Sequence, residues 1–392
     1  MLSGAAVETT ATFDAQTDEF VITSPTPSAA KTWISQGLFA ERAVILATLV
    51  VDGKALGPHL FWAPIADHDF QLQAGGRPVP RPGVSLISLP GKTTLLGLDN
   101  AEISFSNFRV PRAALLSRFG SLSAAGEYES RLPKGCTRLL DLLLSRLLTG
   151  RIVLSEATLA HALSRLRRNY GYCSGRELWK GKKDKGPRMA DMPLVSTFFR
   201  DYGRTLCILQ TFVAHTRESV AEAIRKDQFT NDTIEATCMC KFLGTGFGAD
   251  SNGAVRKIMG ARGIQSDAAL GVESFLPNAT CAAEGDNTIM ELKIVQDCVR
   301  GRTPKVPVAL MLRLMVSPQG RKACGWYLLK FARAFLLGKR ALKDGQLLKD
   351  IAWARAHMRV VDVWQKSAGP ERGAWLESYE RVLLQMPTRV QW

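Results

Sequence analysis

Apolar positions follow two different rhythms along the chain. Up to about residue 115 they come in short runs rich in β-branched and aromatic side chains, cut by glycine, proline and polar clusters. Residues 9–13 and 20–23 predict two strands, and the polar Asp14-Ala15-Gln16-Thr17-Asp18 between them predicts a hairpin. Further strands are predicted at 43–51, 59–64, 70–73, 84–88 and 102–108, punctuated by Gly75-Gly76 and by Pro78, Pro80 and Pro82. Short strands at this spacing predict a small β-barrel or sandwich. From about residue 113 the rhythm becomes helical. Leu139, Leu140, Leu143, Leu144, Leu147 and Leu148 recur at helical spacing, as do Ile152, Leu159, Leu163 and Leu166 after Gly150. Amphipathic stretches follow at 198–223 and 288–299. Three more lie at 310–316, 326–337 and 347–364, the first two of these separated by Pro318 and Gly320. The expected fold is α+β. A β-barrel domain spans residues 1–115, a helical bundle 116–305, and a further, partial helical domain 306–392.

Composition changes this picture only at the margins. With 392 residues, 46% of them hydrophobic, the chain can bury a large core. A net charge of +15 favours anionic partners, from nucleic acid to phosphorylated metabolites. The basic residues are not interleaved with aromatics and no nucleic-acid recognition motif is present, so nucleic acid is not expected. The eight cysteines have no repeated spacing and read as reduced, mostly buried thiols of an intracellular protein. No apolar run is long enough to span a bilayer: the run from Ala43 to Val51 is bounded by Arg42 and Asp52. No secretory signal opens the chain, and Arg389-Val390-Gln391-Trp392 is not a Ser-Lys-Leu address.

Single chemical signals are weak. Gly244-Thr245-Gly246-Phe247-Gly248 has the look of a phosphate loop, but no strand precedes it, and a close helix–helix connection is the expected reading. His59, His68, His161, His215 and His357 show no metal spacing. The basic loop from Arg176 to Arg188, with Lys180, Lys182, Lys183 and Lys185, suits either phosphate or solvent. Glu284-Gly285-Asp286-Asn287 on its own reads as a helix start, with Asp286 or Asn287 as N-cap.

Taken in order, the segments resemble the acyl-CoA oxidase branch of the acyl-CoA dehydrogenase superfamily. Glu8-Thr9-Thr10-Ala11-Thr12-Phe13-Asp14 and Phe20-Val21-Ile22-Thr23-Ser24-Pro25-Thr26 are similar to the strand pair that opens that family's middle β-domain. Lys31-Thr32-Trp33-Ile34 is similar to its Lys-Trp-Trp-Pro. Val51-Asp52-Gly53-Lys54 and Gly57-Pro58-His59-Leu60-Phe61-Trp62-Ala63-Pro64-Ile65 match its next strand pair. Leu98-Asp99-Asn100 and Phe108-Arg109-Val110-Pro111-Arg112 match the exit from that domain. In the helical half, Gly260-Ala261-Arg262-Gly263-Ile264 stands where the family has Gly-Gly-His-Gly-Tyr. Cys281-Ala282-Ala283-Glu284-Gly285-Asp286-Asn287-Thr288 resembles its catalytic stretch.

The resemblance implies a flavin enzyme that uses FAD and molecular oxygen. It would oxidise the Cα–Cβ bond of a fatty acyl-CoA to a trans-2-enoyl-CoA and release hydrogen peroxide, as a peroxisomal homodimer of fatty acid β-oxidation. By position, Glu284 is the base that removes the α-proton, and Trp33, Ser35, Arg176 and Asp286 meet the cofactor. Ser35 and Thr94 stand where the family has glycines. The family's preceding helical domain has no counterpart in the sequence, and its C-terminal domain runs longer, so the resemblance implies a chain truncated at its N-terminus and at its C-terminus. Two other readings stay open: an acyl-CoA dehydrogenase, or a non-catalytic anion-binding scaffold that keeps the fold.

Overall fold

The computed structural model describes residues 7–67, 78–132, 146–179, 186–226, 228–265, 275–305, 307–367 and 372–385. They fall into two compact units, Met1–Ser145 and Arg146–Trp392.

The first unit is β-structure. The expected hairpin forms from β1 (Thr10–Asp14) and β2 (Glu19–Thr23), paired antiparallel so that Phe13 faces Phe20. After β3 (Lys31–Ser35), β4 (Arg42–Val51) and β5 (Lys54–Pro64) make a second hairpin whose two loop residues, Asp52 and Gly53, both have positive φ, +48° and +72°. That is the left-handed loop conformation that Asp-Gly adopts most readily. The remaining strands are β6 (Ala66–Asp67), β7 (Val79–Pro80), β8 (Val84–Ser88), β9 (Asn100–Phe105), β10 (Phe108–Pro111), β11 (Gly120–Leu122) and β12 (Tyr128–Ser130). The strand expected at 102–108 is broken: the chain turns at Asn107, with φ +50°, so β9 and β10 join different sheets. One sheet runs β10-β2-β1-β4-β5 and another β3-β9-β8. Burial alternates along β4, with Ile45, Ala47, Leu49 and Val51 facing inward, and these meet Phe20, Ile22, Phe61, Ile103 and Phe105 in one core. Each fully buried phenylalanine there contributes roughly 2 kcal/mol. The strand expected at 70–73 and His68 lie outside the described residues.

The second unit is helical. Its helices are α1 (Arg146–Gly175), α2 (Pro193–Arg225), α3 (Asn231–Met259), α4 (Leu276–Ala282), α5 (Asn287–Val299), α6 (Val308–Leu314), α7 (Pro318–Leu337), α8 (Gly345–Ser367) and α9 (Arg372–Gln385). Gly150 lies inside α1. Pro318 is the first residue of α7, with Ser317 as its cap, so the break before it is real. The leucines from 139 to 144, Cys136 and the lysines from 180 to 185 lie outside the described residues.

The centre of this unit is α3, and it corrects the sequence reading. Residues Thr237 to Gly248 are buried on every side, so no polar face marks the helix. The glycine run is not a connection between helices but the middle of α3. Gly248 lies so near α1 that an added Cβ would fall 2.1 Å from Thr158 Cγ2. No helix among the described residues is long and apolar enough to cross a membrane. The seven cysteines among them are free thiols. Most are buried, whereas Cys207 is exposed.

Candidate functional site

A short turn joins α4 to α5, and Glu284 stands at its middle. Its φ is +53°, an unusual conformation for a residue with a side chain, and Gly285 follows at +97°. A carboxylate held in a strained turn at the mouth of a helix is a common mark of a functional position. Asp286 caps α5 by accepting from Thr288 N at 2.8 Å.

Three features fix this turn. The Glu284 side chain lies over Gly150 of α1, where an added Cβ would come within 2.7 Å of both Cδ and Oε1. Only glycine leaves that space. One residue on, the buried Arg151 donates from Nε to the Glu284 carbonyl at 3.1 Å. From the other side, the fully buried Lys241 of α3 donates to the Cys281 carbonyl and, at 2.7 Å, to Asn287 Oδ1. Burial pulls the Lys241 ammonium down to about 8. A turn later on α3, the Thr245 hydroxyl lies 3.1 Å from the Asn287 carboxamide.

A second acid lies beneath the turn. Glu291 of α5 is 4% exposed, accepts from Trp353 Nε1 at 2.8 Å, and stands 3.9 Å from Lys349 Nζ. Burial pushes its carboxyl from 4.5 up to about 7, against the opposing pull of Trp353. The folded protein therefore binds this proton more tightly than the unfolded chain. Stability from this group is full below pH 4.5 and declines as pH rises towards 7. Glu291→Gln is expected to raise stability at pH 8 by about 3 kcal/mol and to change little at pH 4.5. Denaturant melts at the two pH values check this, and an equal effect at both would refute it.

Of the other positions named from the sequence, Trp33 and Ser35 belong to the first unit and Arg176 to the second. Trp33 and Ser35 share β3, at the edge of the three-stranded sheet. Trp33 sits at an irregularity in the β3–β9 pairing, with φ +61° and 65% of its surface exposed. Asn100 Nδ2 reaches the Trp33 carbonyl at 3.5 Å and the Ser35 hydroxyl at 3.4 Å, and Lys92 holds Asn100 Oδ1 at 2.5 Å. Arg176 follows the C-terminus of α1, its guanidinium on the Tyr172 hydroxyl at 2.7 Å, with Arg262 over the same ring. Arg151 and Arg176 are 25 residues apart, about 37 Å along the helix at 1.5 Å per residue, so Arg176 is not part of the Glu284 turn.

Sequence reading named Glu284 and Asp286 but not Gly150, Arg151, Lys241 and Thr245, the residues that hold their turn. One signal was present: Lys241 is a lone charge in the run Cys238-Met239-Cys240-Lys241-Phe242-Leu243, and a lysine there requires a buried partner.

No family model matches the chain. It is 37% identical over 180 residues to acyl-coenzyme A oxidase 4 of Candida tropicalis, covering 45% of this chain and 23% of that protein. It is 26% identical over 314 residues to the peroxisomal acyl-coenzyme A oxidase 2 of Arabidopsis thaliana, covering 75% and 43%. The chain thus spans less than half the length of these relatives. Among solved structures, acyl-CoA oxidase-1 of Caenorhabditis elegans, complexed with FAD and ATP, superposes with a TM-score of 0.71 over 98% of this chain and 61% of that one. At 20% identity that likeness establishes the α+β fold. The fold, the ordered motifs and these sequence matches point the same way: in sequence and in fold the chain is similar to acyl-CoA oxidases.

Proposed function

We propose that the chain acts as an FAD-dependent acyl-CoA oxidase, converting a fatty acyl-CoA to the trans-2-enoyl-CoA, with Glu284 as the base. The observation that carries this reading is the Glu284 turn: a carboxylate half-buried at the start of a helix, seated on a glycine and fixed through its own carbonyl by Arg151. In this role Glu284 takes the proton from the acyl α-carbon into its carboxylate, and the electron pair of that C–H bond becomes the second bond between Cα and Cβ. Partial burial keeps water from competing for the carboxylate once substrate covers it.

The residues assigned to the cofactor suit it in kind. Trp33 offers an exposed indole face, Ser35 a hydroxyl already oriented by Asn100, and Arg176 an exposed guanidinium for phosphate. Asp286 is committed to capping α5, so its part at the ring would be secondary. FAD, when bound, accepts the hydride lost from the β-carbon and passes both electrons to molecular oxygen as hydrogen peroxide. Peroxisomal fatty acid β-oxidation and a homodimeric state belong to the same proposal, the compartment being supported by the name of the Arabidopsis relative.

The test is direct. The FAD-loaded protein should bleach when an acyl-CoA is added without air, and should yield hydrogen peroxide when air returns. Bleaching without peroxide would favour a dehydrogenase. A protein that takes up no flavin and binds polyanions in a salt-sensitive way would favour the scaffold.

Gly150→Ala should separate stability from activity. Alanine is favoured over glycine inside α1 by roughly 0.5–1 kcal/mol, so the melting temperature should not fall. The new Cβ must displace the Glu284 carboxyl, and the limiting bleaching rate should drop about tenfold to a hundredfold. An unchanged rate would remove Gly150 as the seat of the carboxylate.

A further inference from the structure

We propose that Lys241 is a positioning residue for Glu284, locking the α4–α5 turn by bridging its two flanks. The inference rests on the oxidase reading for its catalytic part and on geometry alone for the lock. Lys241 has no accessible surface, yet it reaches the Cys281 carbonyl before the turn and the Asn287 side chain after it. These contacts bracket Glu284 by three residues on each side. The Cys281 carbonyl belongs to the last turn of α4, where carbonyls lack helical partners and a cation is favoured. Asn287 is the first residue of α5, and Thr245, one turn beyond Lys241 on the same helix, holds its carboxamide as well.

A buried ammonium is an expensive way to fill a core position. Methionine has similar volume, and replacing buried ions by apolar residues is often neutral or stabilising. What methionine does not provide is a link between the end of one helix and the start of the next. Without it, Arg151 and the Gly150 contact would hold the apex, Thr245 the Asn287 side and the Thr158–Thr280 hydrogen bond the α4 side, each flank separately. A shift of about 1 Å in a reacting group costs on the order of a hundredfold in rate. The lock therefore acts on the limiting rate and leaves substrate and flavin binding largely alone.

The experiment compares wild type with Lys241→Met and with the milder Thr245→Val, which removes only the hydroxyl from the Asn287 contact. Amide hydrogen exchange of peptides covering residues 281–288 reads the lock without any cofactor or turnover. Exchange there should rise about tenfold in Lys241→Met, and less in Thr245→Val, with α1 and α2 unchanged. In the FAD-loaded protein, Lys241→Met should lower the limiting rate of anaerobic bleaching about a hundredfold. The acyl-CoA concentration for half-maximal rate should stay within about threefold of wild type. A thioester carrying sulfur in place of its β-carbon can lose its α-proton but not a hydride. Its long-wavelength band with the flavin should weaken in parallel.

Unchanged exchange in the turn, or an unchanged limiting rate, would overturn the proposal. If Lys241→Met loosens the whole unit, Thr245→Val decides, and a wild-type turn and rate in that variant would count against the lock. If wild type itself fails to bleach, the oxidase reading and the catalytic role fall together, while the exchange data still decide whether Lys241 holds the turn.

Discussion

Glu284→Gln should retain flavin and lose acyl-CoA-dependent bleaching by on the order of a thousandfold, within the usual contribution of a general base. The carboxamide has nearly the same volume, so it can occupy the space over Gly150, and the Arg151 contact is to the backbone and survives the change. What disappears is the acceptor: an amide oxygen is far too weak a base to take an α-proton. Glu284→Asp keeps the acceptor but withdraws it by one methylene, and a loss of about a hundredfold is expected from that misplacement. Single-turnover bleaching under nitrogen, with flavin content measured on the same samples, separates loss of chemistry from loss of cofactor. A Glu284→Gln variant that bleaches like wild type would require another base.

Much of the first unit was legible because its strands are short runs of β-branched and aromatic residues cut by glycine, proline and polar turns. β4 is a nearly unbroken apolar run from Ala43 to Val51, and Asp52-Gly53 marks its turn. The break at Asn107 left a signal that went unread: Ala101, Ile103 and Phe105 occupy odd positions but Phe108 and Val110 even ones, so the alternation slips at Ser106-Asn107. In the second unit α2 and α5 were readable from their apolar stripes. α3 was not, because a helix at the centre of a bundle has no solvent face and its four glycines look like a loop. The consequence reached the site. Lys241, Thr245 and the close approach of α1 all depend on α3 being a helix, so the supports of the Glu284 turn stayed hidden while Glu284 itself was named from the motif.

The same invisibility applies to the most deeply buried ion pair among the described residues of the bundle, and it sets the second large effect. Glu235 of α3 and Arg355 of α8 are each 2% exposed. They meet in a bidentate pair, with Nη2 to Oε2 at 3.1 Å and a second, shorter contact from Nε to Oε1. Arg355 Nη1 also reaches the Pro304 carbonyl at 2.8 Å. Each charge is tolerable only because the other is present, so Glu235→Ala leaves a guanidinium without its counter-ion in a dry site. A loss of about 3–5 kcal/mol is expected, together with a fall in melting temperature of about 10 °C for a unit of this size. Removing both charges in Glu235→Leu/Arg355→Met should recover much of that loss. Recovery should stop short of wild type, because the Pro304 carbonyl then has lost its donor. Thermal melts of the two variants decide the matter: a double variant no better than Glu235→Ala would mean that the pair contributes net stability, not merely mutual tolerance.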